Sequence, residues 1–331
     1  MTRPTLAVSG ALATALLLTA CGSDGASAGD DGRLSVVTGF YPLEYAAERV
    51  VGDVPGVTVE TLTSPGTDAH DLELSPRQVG AVQDADLVIF SAGMQAAVDA
   101  AVAEQAPDRS LDVTSVVALA ETGDDHEDHG DHDHEDHDGH DHEGHDHEGH
   151  DHDGHDHGPL DPHFWLDPER YAAAGAAIAE ELAAIDPVNA EDYLANAEAF
   201  SQDLDELDAE FREGLASCEH DTMVTTHEAF GYLADRYGLH QVGITGITPE
   251  AEASPARMAE ITREVEALAV PAIYAQSTLG GDLAEVIGRE TGTQVLVLDP
   301  IEGLTDASAG NDYFQVMRAN LEALRQGQVC S

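Results

Sequence analysis

Residues 168–216 read PERYAAAGAAIAEELAAIDPVNAEDYLANAEAFSQDLDELDAEFREGLA. Ala, Glu and Leu dominate, and a proline lies near the start of each half, where its missing N–H would have no helical partner anyway. The stretch reads as two helices, Pro168–Ile185 and Pro187–Ala216, and in the second Ala199, Leu204, Leu207 and Phe211 recur at helical spacing. On either side the grain of the chain changes. Upstream, short apolar runs predict strands at Leu34–Thr38, Val57–Leu62, Asp86–Phe90 and Leu111–Val113, separated by amphipathic helices at Pro42–Val51, Pro76–Gln83 and Gln95–Glu104. Downstream, strands at Thr222–Thr226, Gln241–Ile244, Ala272–Gln276 and Gln294–Leu298 alternate with helices at Ala229–Tyr237, Pro255–Ala267, Leu279–Glu290 and Asp312–Arg325. Strands alternating with helices at this spacing imply parallel sheets. The expected fold is α/β: two parallel-sheet lobes joined by a long rigid linker helix, with a cleft between them.

The N-terminus addresses the chain. Arg3 precedes an Ala- and Leu-rich stretch, Leu6–Ala20, whose fifteen residues are short for a membrane span and suit a signal-peptide core. Ala20 stands directly before Cys21, the order in which a bacterial lipobox presents its acylated cysteine. An ordinary signal peptide with a chance cysteine is the rival reading. Residues 22–32, GSDGASAGDDG, have the composition of a flexible tether. Outside the cytoplasm the two other cysteines, Cys218 and Cys330, are expected to pair, the alternative being two free thiols. The net charge of -52, with thirteen Lys and Arg in all, speaks against a nucleic-acid partner. An acidic surface favours cations.

From Gly123 to Gly158 the chain is almost wholly His, Asp, Glu and Gly. With no apolar residue to bury, the run is expected to be disordered without metal. It holds thirteen of the eighteen histidines, His126, His129, His132, His134, His137, His140, His142, His145, His147, His150, His152, His155 and His157. Imidazoles mixed with carboxylates predict many weak, overlapping metal sites.

The other five histidines are His70, His163, His220, His227 and His240. His70 lies in the loop after the second predicted strand, His163 after the fourth, and His227 immediately after Thr222–Thr226; Asp299 comes immediately after Gln294–Leu298. Ligands of open parallel sheets bind outside the carboxyl ends of strands, and these four residues fall there, two from each lobe. Three imidazoles and one carboxylate suit tetrahedral Zn²⁺, whereas Mn²⁺ favours more carboxylate and Cu⁺ favours sulfur. Any one of these histidines alone would more often be a surface side chain. His220 and His240 are expected to face solvent. Asp68, Glu228 and Asp161 adjoin the expected ligands and are candidates to orient an imidazole through its other nitrogen, with Asp161 and Asp167 also suited to turn or helix-cap roles.

These residues sit in blocks that resemble a known family. Thr38-Gly39-Phe40-Tyr41-Pro42-Leu43, the His70 segment followed by Leu74-Ser75-Pro76, Asp161-Pro162-His163-Phe164-Trp165-Leu166-Asp167-Pro168, Thr226-His227-Glu228-Ala229-Phe230-Gly231-Tyr232 and Leu298-Asp299-Pro300 before a glycine resemble, in this order, the ZnuA-type, cluster A-I solute-binding lipoproteins of bacterial zinc ABC importers. The resemblance implies two α/β lobes joined by one long helix, zinc as transported ligand rather than enzymatic cofactor, and ligands at His70, His163, His227 and Asp299. Manganese relatives usually carry Glu at the third position, so His227 points to zinc. Some zinc members have Glu before the first histidine, where this chain has Ala69. The implied partners are an ABC permease and its ATPase, with a zinc metallochaperone left open; the chain is expected to be a monomer, on the outer face of the membrane only through lipidated Cys21.

The expected layout is a leader over 1–20, a tether over 21–33, an N-terminal lobe over 34–122 interrupted by the run at 123–158 and completed over 159–186, a linker helix over 187–217 and a C-terminal lobe over 218–331. Two other functions compete with transport: a zinc hydrolase with Glu228 as general base, which needs an open metal position, and a surface zinc buffer built on the His-rich run.

Overall fold

The structure is a computed structural model that describes residues 33–120, 160–245, 255–276 and 281–331. The leader, Cys21, the tether up to Gly32 and the run at 123–158 with all thirteen of its histidines lie outside the described residues.

Two four-stranded parallel sheets carry the chain. The first contains β1 (Leu34–Thr38), β2 (Val57–Thr61), β3 (Leu87–Phe90) and β4 (Ser110–Asp112) in the order β2-β1-β3-β4. The second contains β5 (Thr222–Thr225), β6 (His240–Gly243), β7 (Ala272–Ala275) and β8 (Gln294–Val297) in the order β6-β5-β7-β8. Both orders reverse direction at the first strand of the lobe, which opens a crevice at the carboxyl ends. Helices α1 (Tyr41–Val51), α2 (Pro76–Asp84) and α3 (Ala96–Gln105) serve the first sheet; α6 (Gly231–Tyr237), α7 (Pro255–Leu268), α8 (Gly281–Thr291) and α9 (Tyr313–Gly327) serve the second. Among the described residues no helix is long and apolar enough to cross a membrane.

Between them run α4 (Pro168–Ile185) and α5 (Ala190–Gly214). Asp167 caps α4, accepting a hydrogen bond from the Glu169 N–H, and Pro168 follows at the first helical position. The second helix starts at Ala190 rather than Pro187, because Asp186 closes a turn there: its carboxylate accepts from Asn189 at 2.7 Å and from the Tyr193 hydroxyl at 2.8 Å. Its buried stripe runs Tyr193, Ala197, Phe200, Leu204, Leu207 and Phe211, at alternating steps of four and three residues, and passes through Phe200 rather than Ala199, which faces solvent.

One continuous core links both lobes. Phe40, Trp165, Tyr171, Phe200, Tyr274 and Tyr313 all belong to it, and smaller clusters cover the other face of each sheet. Tyr171 and Tyr313 pack with ring centroids 4.7 Å apart and planes inclined by 53°, and Tyr45 of α1 meets Tyr313 and Phe314 of α9. Buried aromatics need partners for their polar ends. The Trp165 indole N–H donates to the Pro300 carbonyl at 2.7 Å, and the Tyr313 hydroxyl donates to the Trp165 carbonyl at 2.6 Å. These bonds tie the segment before α4 to the loop after β8 and to the start of α9.

Cys218 and Cys330 are joined in a disulfide across 112 residues of sequence. The bridge holds the C-terminus beside the entry to β5, where the Glu219 N–H also reaches the Gln328 carbonyl.

Candidate metal centre

His70, His163, His227 and Glu302 converge, with one ligand atom from each lying within 4.8 Å of the others. Each comes from a loop at the carboxyl end of a sheet: His70 after β2, His163 before α4, His227 after β5 and Glu302 after β8. Oε1 of Glu302 is 3.2 Å from Nε2 of His227, 3.4 Å from Nε2 of His163 and 3.6 Å from Nε2 of His70. The two ring nitrogens of His163 and His227 are 3.2 Å apart. A tetrahedral divalent ion with bonds of roughly 2.0–2.2 Å would space its donors by roughly 3.3–3.6 Å. Glu302 is thus at or near coordination spacing from all three imidazoles, as are His163 and His227 from each other, and the remaining pairs lie within 4.8 Å. His163 and His227 are 0% and 1% exposed, and Glu302 8%. Among the described residues, His70 Nε2 and Glu302 Oε1 are buried without a hydrogen-bond partner, an expensive state unless something else satisfies them. Borderline divalent ions fit that donor set.

Asp299, expected as the fourth ligand, is outside the group. It sits 4% exposed just past β8, and its Oδ1 accepts from the Ile301 N–H at 2.8 Å. Its own N–H donates to Asn320 Oδ1 at 2.9 Å, and its carbonyl accepts from Asn320 Nδ2 at 2.7 Å. Asp299 therefore builds the turn that delivers Glu302. Ile301 occupies the left-handed region at φ 60, strained for a β-branched residue, and the bonds to Asp299, Asn320 and Trp165 surround that strain. The sequence signal for Glu302 was an acidic residue three positions further into the same loop, ahead of Gly303.

The residues adjoining the histidines divide. Asp161 Oδ1 stands 2.7 Å from Nδ1 of His163 and also accepts from the His163 N–H at 3.0 Å, so it orients the ring with Nε2 facing the centre. Asp68 Oδ1 accepts from the His70 N–H at 2.8 Å and so shapes the loop backbone. The Glu228 side chain stands over Gly243, where an added Cβ would fall 2.0 Å from its Cγ, and Glu228 is outside the donor group. Asp167, besides capping α4, meets Arg236 of α6 at 3.0 Å. His240 is exposed and His220 partly so.

Charge in the centre is tightly coupled. Burial draws the His163 imidazole down, but the neighbouring Asp161 and Glu302 carboxylates outweigh it and push the group up to about 9. Burial, together with the neighbouring His163 and His70, holds His227 below its ordinary value against the pull of Glu302. Burial would raise the Glu302 carboxyl, yet the three imidazoles hold it well below the usual carboxylate range. A cleft beside the centre, lined by Thr67, Asp68, Gln276, Asp299, Glu302 and Thr305, offers an approach whose carboxylates favour cations.

Two parallel-sheet lobes with a buried three-histidine, one-carboxylate centre at their facing strand ends define a two-lobed metal-capable solute-binding protein. The chain belongs to the family described as ZnuA, zinc-uptake complex component A, periplasmic, whose model matches residues 36–327. It is 36% identical over 94% of its length to the zinc-binding lipoprotein AdcA of Streptococcus pneumoniae, and spans 58% of that relative's length. It is 31% identical to the high-affinity zinc uptake system protein ZnuA of Bacillus subtilis, covering 94% of this chain and 93% of that one. Among solved structures, Zn(II)-bound AdcA of Streptococcus pneumoniae aligns with a TM-score of 0.71 at 32% identity, over 90% of this chain and 58% of that one. The laminin-binding protein Lmb of Streptococcus agalactiae, described as an adhesin with metal-transporting activity, aligns with a TM-score of 0.72 at 29% identity, over 89% and 99%.

Proposed function

We propose that this protein captures Zn²⁺ outside the cytoplasm and delivers it to an ABC permease, driven by its ATPase, with His70, His163, His227 and Glu302 as the four ligands. The observation that carries the reading is the spacing of Glu302 Oε1 from three imidazole nitrogens, 3.2–3.6 Å, in a buried pocket. Four donors complete a tetrahedron, leaving no open position for a reacting water, which favours holding an ion over hydrolysis. Family membership and the relatives named as zinc-uptake proteins support the same reading. Acylation at Cys21 would tether the protein to the outer face of the membrane, as the lipobox order of residues suggests. The histidines of 123–158 would gather zinc by weak, rapidly exchanging contacts and pass it to the centre.

The test is a competition titration with zinc, manganese, copper and nickel on protein that begins after Cys21 and lacks 123–158. One zinc ion held far more tightly than manganese is the expected result. Loss of the tight site on deletion would instead make the His-rich run part of the primary centre. Loss of nearly all zinc capacity, with no tight site in either form, would favour the buffer.

A further inference from the structure

Two of the histidines in the centre are carried on backbone held by the same device, a glutamine amide paired with a threonine hydroxyl. In the first lobe, Gln95 stands directly before α3 and is 2% exposed. Its amide nitrogen donates to Thr63 Oγ1 at 2.9 Å and to the Ala69 carbonyl at 3.0 Å. The Thr63 hydroxyl in turn donates to the Gly39 carbonyl at 2.8 Å. Gln95 thus joins both ends of the loop 63–69 and grips the peptide that leads into His70. In the second lobe, the Gln241 amide nitrogen donates to Thr225 Oγ1 at 2.8 Å and to the carbonyl of His227 itself at 3.1 Å, while the Thr225 hydroxyl donates to that carbonyl at 2.8 Å. The amide orientation follows from chemistry, because a peptide carbonyl can only accept.

The two loops differ in what else restrains them. His227 leaves β5 after a single residue, whereas His70 lies nine residues beyond Thr61 in a segment without regular structure. His70 is also the only member of the donor group that is not buried, and its Nε2 lies farthest from Glu302, at 3.6 Å. Its peptide is held from both sides, the carbonyl of Ala69 by Gln95 and the N–H of His70 by Asp68 at 2.8 Å. Gly39 fits the same arrangement: an added Cβ would fall 2.6 Å from Gln95 Oε1, so the glycine leaves room for the amide.

We infer that Gln95 is a positioning residue for zinc retention, acting through His70, with Gln241 its counterpart at His227. This rests on the reading of His70 as a zinc ligand. Loss of the amide would let the loop 63–69 relax and swing the imidazole away, weakening the site without touching the ion.

The experiment is a double-mutant cycle on the unlipidated chain with its His-rich run intact, read by zinc competition against a chelator and by thermal unfolding of the metal-free protein. Gln95→Met, similar in size but lacking the donor, is expected to weaken tight zinc binding about ten- to hundred-fold, the range for partners that orient a ligand. In the His70→Ala background the same substitution should change affinity less than about twofold, because the residue it acts through is gone. A residue with only a structural role would lower the unfolding temperature in both backgrounds and weaken zinc equally in both, and that outcome overturns the inference. So does full retention of zinc by Gln95→Met. If this variant does not fold, Gln95→Glu keeps the shape, removes the donor and enters the same cycle. Unchanged tight binding by His70→Ala alone would overturn the ligand reading and this inference together, whereas equal losses across the cycle overturn the inference only.

Discussion

Oδ1 of Asp161 lies 2.7 Å from Nδ1 of His163, on the side of the ring away from the metal centre. A carboxylate there fixes the tautomer: Nδ1 keeps its proton and Nε2 presents its lone pair to the ion. Asp161 is itself held from the second lobe, since its carbonyl accepts from the Tyr232 hydroxyl at 2.7 Å, and that oxygen accepts from the Ala120 N–H at 2.7 Å. Asp161→Asn would keep the shape and remove the charge. Zinc affinity should fall about ten- to hundred-fold with a small change in unfolding temperature, measured by competition titration and calorimetry.

Glu302 and Asp299 can be told apart by amide substitution. Asp299→Asn retains an oxygen able to accept from the Ile301 N–H, so the turn should persist and zinc affinity stay within a few-fold of the parent, about 1 kcal/mol or less. Glu302→Gln removes the anionic donor and should lose more than the hundred-fold typical of an orienting partner. The reverse ranking in a chelator competition would return Asp299 to the ligand set.

Zinc and protons compete for the same nitrogens. His163 stays protonated in the metal-free protein until the pH passes about 9, so near pH 7.5 the incoming ion must displace that proton. His227, shifted down, is already neutral there and releases none. Glu302, shifted down, is already ionised. Zinc binding at pH 7.5 should release the His163 proton, and affinity should rise with pH from neutrality toward pH 9. Calorimetry in buffers of differing ionisation enthalpy counts the proton; a count of zero would refute the assignment.

The disulfide stabilises without shaping the site. Cys218 and Cys330 lie at the entry to β5, whereas the histidines lie at the carboxyl ends of strands. Closing a loop of 112 residues contributes about 5 kcal/mol in the chain-entropy model. The Cys218→Ser, Cys330→Ser double variant should unfold about 5–10 °C lower yet bind zinc within about twofold of the parent. A large loss of affinity with little change in unfolding temperature would contradict this.

Much of the architecture is written locally. Period-2 and period-3.6 apolar patterns, with Pro76 and Pro168 opening helices behind Ser75 and Asp167, specify elements that depend on neighbouring residues alone. The convergence of His70, His163 and His227 was legible for a related reason: each follows a strand in the chain, and parallel topology sends every such loop to the same end of its sheet. Asp161 as a partner of His163 was also within reach, two residues away in sequence.

The fourth donor was not. Nothing local separates Asp299 from Glu302, since both are acidic and both lie in the loop after β8. The choice is made by Asn320 in α9 and Trp165 before α4, which fold the turn so that Asp299 bonds backwards and Glu302 reaches the imidazoles. The grip of Gln95 on Ala69 spans 26 residues and has no periodic signature. The elements, their parallel arrangement and the placing of three histidines at strand ends could be read along the chain, because strand and helix periodicity act over a few residues. Which carboxylate joins the histidines is a matter of packing, since it depends on where distant side chains place a strained turn to within about an ångström.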